Sequence, residues 1–234
     1  LLYNFLRFLH ETLNSFTTEI RCVLPYWLRY YPKGGFSIDP HVKELFVELR
    51  NLGITSCVET GTFRGNMTLL LTKIFPNLFV YSIELNDEYF KEATWRTKRD
   101  KNVNLIKSSS PIGIKKLIEA EKLGNLPLFF LDAHWYDYCP TKDELLEISK
   151  LDKAIVVIHD FEVVGRPEMY RPSMFPEGIG FKFLRSFLKG NYNYLSPKYN
   201  APVAYGVIFK GFGEDWDKII NIPIIEKLYF EGKL

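Results

Sequence analysis

Cysteine is scarce in this chain, and neither sign of charge dominates. Three cysteines at irregular spacing, Cys22, Cys57 and Cys139, form neither a disulfide framework nor a zinc-ligand pattern. That composition points to a reducing compartment, and a cytoplasmic protein is expected. Lys and Arg number 30 against 28 Asp and Glu, a net charge of +2. Such a balance excludes wholesale nucleic-acid binding. Lys91, Arg96, Lys98, Arg99 and Lys101 form a local basic cluster, which reads as a solvated helix face. No run reaches the roughly 20 apolar residues of a membrane-spanning helix, so stable membrane insertion is not expected. Internal repeats and low-complexity tracts are missing as well. What remains, 234 residues of which 47% are hydrophobic, can bury one substantial core.

The most informative stretch runs from Cys57 to Asn66. An apolar run, Ile54 to Val58, meets Glu59, then Gly61 and Gly65, then the helical pattern Met67-Thr68-Leu69-Leu70-Leu71. This reads as a buried strand, a tight turn and a helix, the arrangement with which α/β proteins hold a nucleotide-like ligand above the carboxyl edge of a sheet. A G-x-G-x-x-G dinucleotide fingerprint would need glycine where Phe63 and Asn66 stand. An acid just before Gly61 also sits poorly beside a pyrophosphate and suits a ligand with a cationic end. Glu84 closes the next apolar run, placed to accept hydrogen bonds from two ribose hydroxyls. A sugar diol plus an ammonium, without phosphates, describes S-adenosylmethionine (SAM). The alternative is that Glu59 and Glu84 are ordinary strand-end carboxylates beside a turn glycine.

The run Glu59-Thr60-Gly61-Thr62-Phe63-Arg64-Gly65 resembles the first motif of class I SAM-dependent methyltransferases. It is most similar to the branch of macrocin O-methyltransferase-like enzymes and small bacterial sugar and antibiotic methyltransferases. The resemblance covers about residues 53–210 and rests on three short motifs. It implies a Rossmann-like, seven-stranded, mostly parallel sheet with helices on both faces. It also implies a cofactor site of Glu59, Gly61, Thr62, Gly65, Glu84, Ser109 and Asp132.

The chain divides into a helical N-terminal extension, residues 1–38, and a methyltransferase domain, residues 39–234. The extension opens on the apolar run Leu1-Leu2-Tyr3-Asn4-Phe5-Leu6 without a methionine, and so reads as a processed or truncated piece. Its aromatic-rich helices are expected to pack over the domain or against a second subunit, giving a homo-oligomer; a peripheral membrane contact is the alternative. Asp39-Pro40 opens a helix to about Leu52, with Asp39 as N-cap. Strands are expected near 54–59, 78–84, 103–107, 127–132 and 154–159, and helices near 65–75, 87–99, 111–123, 141–150 and 179–189. Repeated strand–helix units at this spacing call for a parallel sheet covered on both faces. A last strand, Ala204 to Lys210, inserts antiparallel if the resemblance holds.

Two further strands end in polar chemistry: Leu128 to Leu131 runs into Asp132-Ala133-His134-Trp135, and Ile155 to Ile158 into His159-Asp160. In an open parallel sheet both ends lie beside Glu59. Two Asp and two His converging there suit a divalent cation or proton transfer. The resemblance implies metal ligands at Asp132 and Asp160, with His159 standing where relatives carry a second acid. Imidazole suits Mn²⁺ better than Mg²⁺. A buried, hydrogen-bonded strand-end histidine is the alternative for His159. His134, in the loop, ranks first as general base, with Asp132 and Asp160 orienting it. Trp135, Tyr136 and Tyr138 line an acceptor pocket or cap the sheet edge. Ser109 meets the adenine or caps a helix. The loop 161–178, with Arg166, Tyr170 and Arg171, is long enough for a lid. The expected activity is methyl transfer to a hydroxyl of a small metabolite. A nucleotide-dependent oxidoreductase and a non-catalytic SAM-binding module are the alternatives.

Overall fold

A computed structural model describes residues 39–134, 138–163 and 192–233, with a few positions between 179 and 188. The helical extension, the residues Trp135 and Tyr136, the 164–178 stretch of the proposed lid and most of the helix expected near 179–189 lie outside the described residues. So does any oligomer contact through residues 1–38.

The strand–helix alternation appears where periodicity places it. Helix α1 (Pro40–Arg50) leads to β1 (Ser56–Thr60), α2 (Asn66–Ile74), β2 (Val80–Glu84), α3 (Asp87–Thr97), β3 (Val103–Lys107) and α4 (Ser110–Glu119). There follow β4 (Pro127–Leu131), α5 (Thr141–Ile148) and β5 (Ala154–His159). The Asp39 carboxylate accepts the His41 N–H at 2.9 Å and Pro40 takes the first turn, as the Asp-Pro pair predicts.

The chain closes with β6 (Tyr192–Pro197), β7 (Tyr205–Lys210), a 3₁₀ turn (Gly213–Asp215), α6 (Trp216–Ile220), α7 (Pro223–Leu228) and β8 (Tyr229–Lys233). Among the described residues the sheet therefore has eight strands, not seven, in the order β3-β2-β1-β4-β5-β7-β6-β8. Strands β1 to β5 run parallel, and β7 lies antiparallel between β5 and β6. The antiparallel insertion agrees with expectation, but β7 is not the last strand. The additional β8 pairs antiparallel with β6 and forms the outer edge.

Alternate residues along each central strand feed two cores. Cys57, Val80, Leu128, Phe130, Ile155 and Val157 pack with Leu45 and Phe46 of α1 and Leu71 of α2. Val58, Ile83, Phe129, Leu131, Val156 and Ile158 pack with Ile114 and Leu117 of α4 and Leu145 and Ile148 of α5. This period-2 division between two covered faces makes the strands read as continuous apolar runs. Because β1, β2, β4 and β5 are parallel and in register, their polar carboxyl ends arrive at one edge. Among the described residues no helix is long and apolar enough to cross a membrane.

Candidate active site

Between β1 and α2 the backbone enters the left-handed region three times, at Gly61 (φ 76°), Phe63 (φ 48°) and Gly65 (φ 75°). Glycine meets that demand at two positions; at Gly61 a second demand is added, since a Cβ there would lie 2.6 Å from the Asp132 carbonyl oxygen. Phe63 meets it without glycine's freedom, and its N–H is held by the Glu84 carboxylate at 2.7 Å. The other Glu84 oxygen accepts the Asn86 N–H at 2.7 Å. Glu84 thus joins the end of β2 to the turn, and each oxygen keeps a lone pair for a ligand hydroxyl. Burial raises its pKa against the pull of those backbone N–H groups.

Glu59 is fully buried. One of its oxygens accepts the Ser82 hydroxyl at 2.6 Å and the Thr68 hydroxyl, while its Oε1 has no hydrogen-bond partner among the described residues. Burial pushes its pKa up to about 8, outweighing the two hydroxyl bonds. Thr62 turns inward, with its hydroxyl 2.6 Å from that of Ser82. Its side chain therefore supports the turn from below, and only its backbone remains on the ligand side. Ser82 and Thr68, which assemble this hydroxyl network, were missed from sequence because both sit inside otherwise apolar elements. Gly65 begins α2, and Ser109 precedes α4 without making a side-chain cap bond.

At the ends of β4 and β5 the charges converge. His134 Nε2 lies 3.6 Å from Asp132 Oδ1 and 4.0 Å from Asp160 Oδ2. Asp132, His134 and Asp160 can bring one ligand atom each to within 4.8 Å of one another. Asp160 itself adopts φ 53°, a conformation aspartate tolerates better than most residues, and marks the exit from β5. The His159 ring sits deeper, with Nδ1 3.0 Å from Asp132 and 3.3 Å from Asp160. Burial opposes its charge, but the two carboxylates prevail and its pKa is pushed up to about 10. The side chains that can bring ligand atoms together are Asp132, His134 and Asp160, with the His159 ring lying against the same two carboxylates.

Three further features went unread in the sequence. Glu144 of α5 is fully buried beside Thr60 and Ser110, which favour its charged form, yet neither of its oxygens has a partner of ordinary hydrogen-bond geometry among the described residues. Burial dominates and brings its pKa to about 7. Arg96, counted above with the solvated basic cluster, instead reaches inward to the turn, donating to the Arg64 carbonyl and to Asn66 Oδ1. Large apolar side chains are also left exposed just after β1, β2 and β3: Phe63, Leu85 and Ile112. Tyr138 is half-exposed, and its hydroxyl donates to Asp143 at 2.5 Å, an anchor on the first turn of α5.

An open, doubly wound sheet with an antiparallel β7 and a glycine turn after β1 is the fold of class I methyltransferases. Among solved structures, TomG from Streptomyces achromogenes, an O-methyltransferase involved in tomaymycin synthesis and solved with SAM, superposes with TM-score 0.54 at 15% identity. That alignment covers 75% of this chain and 82% of TomG. The O-methyltransferase from Bacillus cereus in complex with S-adenosylhomocysteine (SAH) gives 0.52 at 14% identity, covering 84% and 89%. A candidate O-methyltransferase from Nostoc punctiforme gives 0.51 at 13%, covering 72% of this chain but only 55% of that one. The chain thus spans about half the length of the Nostoc protein. No family model and no curated protein sequence matches the chain.

Proposed function

We propose that this chain is a SAM-dependent O-methyltransferase that acts on a hydroxyl of a small metabolite such as a sugar or polyketide. The observation that carries the reading is one sheet edge bearing a preformed turn with Glu59 and Glu84 on one side and Asp132, His134 and Asp160 on the other. In support stand the O-methyltransferase fold and the role of TomG in making a small metabolite.

SAM supplies an electrophilic methyl carbon on a sulfonium. Glu84 would hold the ribose hydroxyls, and Glu59, whose Oε1 has no hydrogen-bond partner among the described residues, would serve the ammonium. His134 takes the acceptor's proton at Nε2 as the acceptor oxygen bonds to the methyl carbon. SAM would keep the carbon–sulfur electron pair on sulfur and so become SAH. Asp132 and Asp160, within 4.0 Å of that nitrogen, stabilise the imidazolium that results. Aligning the acceptor oxygen with the methyl group is the larger part of the task.

Asp132, His134 and Asp160 would also hold a divalent cation, with Mn²⁺ fitting two carboxylates and an imidazole better than Mg²⁺. Its chemistry there would be to acidify the acceptor hydroxyl. His134 cannot be ligand and base at once. Chelation tests the cation: turnover lost and restored by Mn²⁺ shows that the site needs a metal, and turnover kept leaves proton removal to His134. The proposal as a whole is tested by calorimetry with SAM and SAH; failure of the folded protein to bind either would overturn it.

A further inference from the structure

The turn that would cradle the cofactor is built from an unfavourable backbone. Three of its five residues from Gly61 to Gly65 have positive φ, and Phe63 does so with a side chain that disfavours it. Such a conformation persists only where surrounding structure fixes it. Glu84 supplies one restraint from β2. Thr62, bonded to Ser82, adds a second from the same strand, and a further set comes from α3, to which the chemistry described above assigns no role.

Glu92 and Arg96 stand one helical turn apart on α3 and face the turn together. Glu92 is fully buried and pairs with Arg64, itself almost fully buried, at 3.2 Å. The Arg64 guanidinium also lies 5.2 Å from the centre of the Phe63 ring, whose edge-on partner is Tyr89. Arg96 then closes the brace from outside. One of its Nη atoms donates both to the Arg64 carbonyl and, at 2.8 Å, to Asn66 Oδ1, so it spans the last residues of the turn and the first of α2. A buried ion pair is a poor device for raw stability, since desolvation offsets most of the attraction. Its geometric precision is the better explanation for its presence. A Cβ added at Gly65 would lie 3.6 Å from the Ala93 side chain, so α3 approaches the turn with an apolar as well as a charged surface.

We propose that Arg96 and the Glu92–Arg64 pair are positioning residues for the cofactor: they hold the Gly61–Asn66 turn in its binding shape before SAM arrives. The inference rests on the SAM reading above for its ligand, though not for its mechanics. Binding to a turn already fixed avoids the ordering cost that a loose turn would impose.

The test is Arg96→Met, which keeps the apolar stem and removes both donated bonds. Hydrogen exchange over residues 59–67 of the cofactor-free protein should quicken while β4 and β5 stay protected, and SAH affinity should fall about tenfold or more, the range for hydrogen bonds from a charged group. Arg96→Lys, which retains a charged donor, should recover most of both. A folded Arg96→Met with wild-type exchange, and with SAH affinity within about twofold, would overturn the proposal. If Arg96→Met does not fold, Arg96→Gln is set against Arg96→Lys in the same two measurements, and equal values overturn it. If the wild-type protein binds neither SAM nor SAH, the methyltransferase reading fails; the exchange comparison still decides whether Arg96 fixes the turn.

Discussion

The two halves of the candidate site are built on different principles. On the β1–β2 side the polar groups mostly face inward: Glu84 onto two backbone N–H groups, Glu59 onto Ser82 and Thr68, Arg64 onto Glu92. On the β4–β5 side two carboxylates and two imidazoles share one another at 3.0–4.0 Å, and His134 and Asp132 are about one-third exposed. A rigid, internally satisfied half suits gripping one ligand in one pose. A charged, partly open half suits moving a proton. The division teaches that affinity and chemistry should separate by side, and substitutions can break that separation.

The largest effect is expected on the open side. His134→Gln should leave fold and SAM affinity intact and lower turnover by roughly 10²–10⁴-fold, the range for losing a general base. The pH–rate profile should lose one ionisation. Near-normal turnover with an unchanged profile would move the role to another group. On the rigid side, Glu84→Ala removes two carboxylate acceptors worth roughly 1.5–3 kcal/mol each, so SAM should bind at least about tenfold more weakly. It also frees Phe63 from its restraint, so the loss should exceed that of a residue touching only ligand. An unchanged dissociation constant in the folded variant would remove Glu84 from the cofactor site.

The smallest effect sharpens the comparison through pH. Burial pushes the folded-state pKa of Glu59 up to about 8 from its ordinary value of 4.5. The folded state therefore holds a proton that the unfolded chain has released, and the associated stability is present below pH 4.5 and lost as pH rises through 8. Glu144, at about 7, acts in the same direction, and His159, raised from 6.5 to about 10, extends the decline to higher pH. Melting temperature should thus fall between pH 5 and pH 8, and Glu59→Gln should flatten part of that slope. A slope identical to wild type would show that Glu59 is already ionised in the folded protein.

The parts of this site visible in the sequence are those that interrupt an apolar run. Glu59, Glu84, Asp132 and His159-Asp160 each end a buried strand, and a parallel sheet collects such endings at one edge. The brace on α3 was not visible because Glu92 and Arg96, four apart on a polar helix, have the spacing of a solvent-exposed ion pair. Only the tertiary placement of the turn against α3 turns them inward. Ser82 and Thr68 hid for the opposite reason, as single hydroxyls in apolar surroundings. The strands β6 and β8 carry Asn193, Pro197 and Gly232, residues that weaken a strand pattern, and owe their order to pairing with neighbours. His159 was placed correctly at the strand end among two aspartates, but its 3.0 and 3.3 Å distances from them, which favour its charged form, come only from the tertiary structure.

Where β1 runs out, Gly61 meets the backbone of Asp132 and Ala133 with no side chain between them; an added Cβ would sit 2.6 Å from a carbonyl oxygen. The contact works as a gauge. It fixes how far the platform that would seat the sulfonium stands from the strand end that carries Asp132 and leads to His134. A single extra methyl group would wedge the two apart, and a displacement of about 1 Å is enough to cost on the order of 10² in rate for a reaction that depends on alignment. Seen this way, the glycine sets the stroke length of the transfer.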